Sequence, residues 1–121
     1  MMGRTVVEIR RGVMGLAVAV AGVAATLGAA PAFAAGDGQA IARSNACMGC
    51  HAVDRRLVGP SFKDIAAKYK GDASAQAKLE KKVRDGGAGV WGAIPMPSHP
   101  AMSANDIHDV VAWILVGSPS K

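Results

Sequence analysis

The sequence predicts an all-α fold built from short helices. Three features carry that prediction. Toward the C-terminus Ile107, Val110, Val111, Ile114 and Leu115 recur at helical spacing, and Trp113 adds apolar bulk. Ser61 and Ser103 each stand three residues before an aspartate and open an apolar-periodic run, the pattern of an N-terminal cap. No convincing pair of strands is present, and the stretch 86–100 is too rich in Gly and Pro for a regular helix or a central strand.

Taken in order, the 121-residue chain opens on a positive segment with Arg4, Arg10 and Arg11. An apolar and small run follows from Gly12 to Ala30, and Pro31-Ala32-Phe33-Ala34 supplies an A-x-A processing signal. The expectation is a secretory signal peptide over residues 1–34, cleaved after Ala34, and one domain over residues 35–121. The alternative is an uncleaved anchor, since the run is long enough to reach across a bilayer. Its Ala and Gly content and the processing site favour cleavage, so no permanent membrane insertion is expected of the mature chain. Cleavage removes three arginines and Glu8, which lowers the formal net charge from +5 to about +3. That mild excess, with no basic cluster interleaved with aromatics, argues against nucleic acid as a partner.

Asp37 is a candidate cap for a first helix of about two turns, with Ile41 as its main apolar contact. Gly59-Pro60 marks a turn. Ser61 then caps a short helix that places Phe62, Ile65, Ala66 and Tyr69 on one face, and Lys70-Gly71 stops it. Asp72 or Ser74 starts a third helix through Leu79 and Val83. Its Lys78, Glu80, Lys81, Lys82 and Arg84 read as a solvated face. Asp85-Gly86-Gly87 ends it. The loop 86–100 is long for so small a domain, and an ordered loop of that length usually has a task. Ser103 caps the final helix, and Gly117 and Pro119 end it.

Between the first two helices lies Cys47-Met48-Gly49-Cys50-His51. Two cysteines spaced C-x-x-C and followed at once by histidine form the attachment signature of a c-type haem. Each thiol adds across one vinyl group of the porphyrin, and the next residue, His51, is thereby held against the iron as its proximal ligand. A zinc knuckle would need about four N or S ligands, against two cysteines and three histidines in the whole chain. A thioredoxin-like site would need a leading strand, and a disulfide across two intervening residues would be strained. The covalent haem would also serve as the staple that so small a core needs.

A thioether as second axial ligand would keep the iron six-coordinate and raise its potential. The mature candidates are Met48, Met96 and Met102. Met48 lies inside the attachment motif. Met96 sits in the long loop between Pro95 and Pro97, whose stiff backbone lowers the cost of holding one soft ligand on the metal. Met96 is the expected ligand, with Met102 as the fallback. His99 and His108 both read as surface residues, with a hydrogen bond near the Met96 sulfur as the alternative for His99.

Three segments together resemble the cytochrome c-551 type of small bacterial class I cytochromes c: Cys47 to Asp54, Val58 to Tyr69, and Gly89 to Pro97. The resemblance covers nearly all of residues 35–121. It implies the class I cytochrome c fold, short helices wrapped around one covalently bound haem c, with His51 and Met96 on the iron. It further implies that the Pro60 carbonyl accepts the Nδ1 proton of His51 and that Trp91 donates to a haem propionate. Lys82 stands where the family often has an arginine helping there. The chain departs from the pattern at His99, where the family commonly has asparagine, and at Ala42, where it often has an aromatic. By the same resemblance, Met48, Leu57, Val58, Ala93 and Ile94 surround an exposed haem edge. Arg55, Arg56 and Lys63 would add a positive rim.

The expected function is that of a monomeric periplasmic electron carrier, not an enzyme. It would pass one electron from a respiratory donor to a terminal reductase or oxidase, with nitrite reductase, a terminal oxidase and a peroxidase as candidate acceptors. The alternative is a haem enzyme or gas sensor with a labile distal ligand.

Overall fold

The computed structural model describes residues 36–120, so the expected signal segment lies outside the described residues. Four helices make up the regular structure: α1 (Gly38–Ser44), α2 (Phe62–Lys68), α3 (Ala75–Asp85) and α4 (Ala104–Leu115). Among the described residues there is no sheet. Two isolated antiparallel bridges, His51 with Arg56 and Gly87 with Met96, are the nearest approach to one. A 3-10 turn over Cys47–Gly49 went unread in the sequence, because three residues carry no periodicity.

The capping residues are those expected. The Asp37 side chain accepts from the Ala40 amide, Ser61 Oγ from the Asp64 amide and Ser103 Oγ from the Asp106 amide, at 3.0–3.1 Å. Each bond satisfies an amide that the first helical turn leaves without a partner. Both candidates take part at the start of α3. Ser74 is the cap position, while the Asp72 carboxylate accepts from the Ser74 amide and hydroxyl. The Lys78 ammonium and the Ser74 donors hold the Asp72 carboxyl down to about 2.

α4 is the hub, and each of the other three helices packs on it. It buries Ile107, Val110, Val111, Trp113 and Ile114. Phe62 and Ile65 from α2, Val83 from α3 and Ala42 from α1 complete the core. The approach of α1 depends on small residues. Ala42 is wholly buried, and a Cβ at Gly38 would collide with the Cβ of Trp113. The missing side chain at 38 is thus matched by a large one on α4. Trp113 is anchored in turn, its indole N–H donating to the Pro119 carbonyl at 3.0 Å.

One part of the expected solvated face of α3 is instead a contact with α4. Glu80 Oε1 lies 2.8 Å from His108 Nδ1 and accepts from Gln76 Nε2 at 2.7 Å. Gln76 also donates to the His108 carbonyl at 3.0 Å. His108 is therefore exposed but partnered. Period alone places it on the outer side of α4, and only the packing of α3 puts Glu80 beside it.

Replacing Gly38 by Ala is expected to lower stability by about 1–3 kcal/mol, the range for overpacking a tight contact; denaturant unfolding of the holo-protein checks this. Gln76 first, with His108, holds the Glu80 carboxyl below the usual carboxylate value. The stabilisation it confers is complete above about pH 4.3 and is lost as pH falls through the lower folded value. The stability gap between wild type and Glu80→Gln should therefore narrow on acidification from pH 7 toward pH 3. A constant gap would remove Glu80 from the acid response.

Candidate haem site

The attachment segment is wound so that its reactive side chains reach one cleft. Ala46 adopts a left-handed backbone (φ 59°) that ends the approach from α1. The amides of Cys50 and His51 then both donate to the Cys47 carbonyl, at 3.2 and 3.0 Å. Cys47, Cys50 and His51 all line the cleft that follows. Both cysteines are free thiols, and burial pushes the Cys47 thiol up. Among the described residues no group of three or more His, Cys, Asp or Glu side chains is placed to hold a metal ion.

His51 is fixed by three features. Its Nδ1 lies 2.7 Å from the Pro60 carbonyl. A carbonyl only accepts, so Nδ1 carries the proton and Nε2 keeps its lone pair for a metal. The ring stacks on Phe62 with centroids 5.3 Å apart and planes 18° apart. Gly59 supplies the third feature by lacking a side chain, since a Cβ there would lie 2.5 Å from His51 Cε1. The turn that presents Pro60 is itself tied down. Gly59 N–H donates to the Cys50 carbonyl at 2.8 Å, and Phe62 N–H to the Ala52 carbonyl at 2.9 Å.

The opposite wall is the loop after α3. Gly87 and Met96 exchange both backbone hydrogen bonds at 2.9 Å, which closes the loop at its base. Gly86 takes φ 68°, and a Cβ on it would collide with the Met96 carbonyl. Met96 is half-buried, packs against the core and faces the cleft. Trp91 lines the cleft too, and its indole N–H has no partner among the described residues. Lys82 projects from α3 into the same cleft, near Gly87, and no carboxylate pairs with it among the described residues. All seven expected site residues, Cys47, Cys50, His51, Pro60, Lys82, Trp91 and Met96, thus meet in one place. Met102 is partly buried against the core and does not line the cleft.

His99 departs from its expected surface role. Its amide is shared by the carbonyls of Val83 and Arg84 at 3.1 and 3.2 Å, which caps the end of α3. Its Nδ1 is sealed from solvent and has no partner among the described residues.

The cleft encloses about 1240 Å³ of space, its open mouth included. Its walls are mainly apolar, with Phe62, Ile65, Leu79, Val83, Val110 and Ile114 at the base. A cytochrome c family model matches residues 35–117. The chain belongs to the cytochrome c family. It is 49% identical over 75 residues to cytochrome c-551 of Allochromatium vinosum, covering 62% of this chain and 80% of that protein. It is 41% identical over 79 residues to cytochrome c-551 of Pseudomonas aeruginosa, covering 65% and 75%. The crystal structure of Nitrosomonas europaea cytochrome c552 superposes with a TM-score of 0.64 at 42% identity, covering 65% of this chain and 98% of that one.

This cytochrome is a monohaem electron carrier with one haem c on the Cys47/Cys50 motif, and not an enzyme. The residues present fit that group. Two unpaired thiols stand at one wall of an apolar cleft, beside an imidazole whose free nitrogen is fixed by its partner. A thioether stands on the loop that forms another wall, and an unpaired indole N–H and ammonium are at hand for carboxylates. The sequence did not single out Phe62 and Gly59 for their contacts with His51, or Gly87 for its tie to Met96. A glycine directly before Pro60 was a usable signal for the first site. For Gly87 there was none, because its partner is a backbone nine residues away.

Gly59→Ala is expected to push the imidazole off the Pro60 carbonyl. In proton NMR of the ferric holo-protein the haem-shifted resonances of the His51 ring should move, and unchanged shifts would show that the ring tolerates the added methyl.

Proposed function

We propose that this cytochrome is a periplasmic carrier in which His51 and Met96 close the two axial positions of the haem iron. The observation that carries this reading is that both side chains line one cleft, each on a segment tied down by backbone or carbonyl bonds. The haem supplies the one-electron couple. The chain's own residues hold it still. Pro60 orients His51 and raises its basicity. The Gly87 pairing presents Met96, whose soft sulfur favours the reduced state. Trp91 and Lys82 face the carboxylate side, Lys82 as a point charge without the fork of an arginine.

Electrons would pass through the mouth of the cleft. Val58, Ala93 and Ile94 line it, with Val58 and Ile94 exposed at 50 and 66%, and Leu57, exposed at 42%, directly precedes Val58 in the chain. Met48, expected in the same ring, is instead partly buried against the core. Arg55, Arg56 and Lys63 are exposed and have no carboxylate partner among the described residues. Such a rim steers an acidic partner and acts on association rate more than on affinity, in a small and transient encounter. The partners are redox proteins, with a respiratory donor on one side and a nitrite reductase, terminal oxidase or peroxidase on the other. Residues 1–34 are proposed as a signal peptide cleaved after Ala34, which places the mature domain in the periplasm.

Met96→Ala tests the ligand set. The variant should lose the weak far-red band of sulfur-ligated ferric haem, and its ferrous form should bind carbon monoxide rapidly at neutral pH, where the wild type does not. Rapid binding by the wild type would instead favour an open-site sensor.

A further inference from the structure

Trp91 sits toward the far end of the methionine loop, away from the Gly87–Met96 tie at its base. Gly89 and Gly92 flank it with φ 110° and 118°, so the backbone there has little torsional stiffness of its own. Yet two cations from two other segments converge on this one residue. The Arg56 guanidinium donates to the Trp91 carbonyl at 3.2 Å, and the Lys68 ammonium lies 5.3 Å from the centre of the indole ring. Arg56 belongs to the opposite lip of the cleft, where its backbone is bridged to His51. Lys68 comes from the last turn of α2, the helix that begins with Phe62 beneath the His51 ring. Neither cation has a carboxylate partner among the described residues.

We propose that Arg56 and Lys68 clamp Trp91 and thereby hold the methionine loop closed across the cleft, setting how often Met96 opens. This makes them positioning residues acting through Trp91, and it rests on the reading of Met96 as the sulfur ligand. The two contacts span from the histidine side of the cleft to the methionine side. The apolar core reaches the loop only through the half-buried Trp91 and Met96, while Arg56, Lys68 and the rest of the loop tip are exposed. Loops with few buried contacts open locally, without global unfolding. An exposed cation–π contact or an exposed charged hydrogen bond is small against the whole fold. It is large against such an opening, at roughly three- to five-fold in the opening equilibrium for each contact.

The test uses the ferric holo-protein and excess cyanide at fixed pH, where capture is limited by departure of Met96. R56Q and K68Q should each bind cyanide roughly three- to five-fold faster, and the double variant faster still. K70Q removes a neighbouring exposed charge that makes no hydrogen bond or ion pair with the loop and should leave capture unchanged. R56K keeps a cation and a donor and should restore slow capture. Amide hydrogen exchange supplies a second readout, since Gly87 and Met96 should exchange faster in R56Q and K68Q while the amides of α4 do not change. Wild-type capture rates in the double variant, or an equal effect of K70Q, would overturn the clamp. If the wild-type ferric protein lacked the sulfur-to-iron band, the ligand assignment would fail by itself. The exchange rates of Gly87 and Met96 would then decide the clamp alone, faster exchange upholding it and unchanged exchange removing it.

Discussion

The imidazole of His51 is held by a carbonyl, a ring and a missing side chain, and these contacts tie the cofactor site to the helical core. The Pro60 carbonyl sets the rotation of the ring and its tautomer. Phe62 lies flat beneath it, and the same Phe62 meets Trp113 of α4 edge to face, with centroids 5.5 Å apart. Trp113 in turn lies against Gly38 of α1. A line of three aromatic side chains, His51, Phe62 and Trp113, thus runs from the cleft to the crossing of the first and last helices. Moving any of them disturbs close packing that is intolerant of small changes in volume. The proximal wall is rigid because it is part of the core.

The distal wall is built differently. Met96 rests on a loop whose fixed points are backbone hydrogen bonds, the pair with Gly87 and the His99 amide on the end of α3. Such bonds position a loop without burying much apolar surface, so their stability is local. In the proposed ligand set, His51 moves only with the fold, while Met96 can move on its own.

Much of this was legible in the chain. The c-type attachment motif needs no tertiary information, because two thiols and a histidine in five residues are already a local chemical unit. The caps at Asp37, Ser61 and Ser103 were equally local, each depending on an amide three residues away. Met96 stood out through its flanking prolines. His108 is exposed as expected, yet its Glu80 contact, like the burial of His99 Nδ1, was not foreseen, for one shared reason. Each owes its environment to α3, and neither the Glu80 contact nor the shared carbonyls of Val83 and Arg84 leaves a trace in the sequence near the histidine. The charge pattern alone puts Lys82 among the solvated charges of α3, and only the family resemblance pointed it to the cleft that it lines.

The sequence by itself determined the cofactor, the order and limits of the helices, and the family, since these depend on residue identity over short spans. Tertiary structure decided which groups of opposite segments meet: Phe62 under His51, Gly87 against Met96, Glu80 beside His108, and two cations on Trp91. Those pairings join residues up to 35 positions apart. They follow from how α1, α2 and α3 pack on α4, and that packing is settled by volume and shape, which a pattern of apolar and polar letters does not specify.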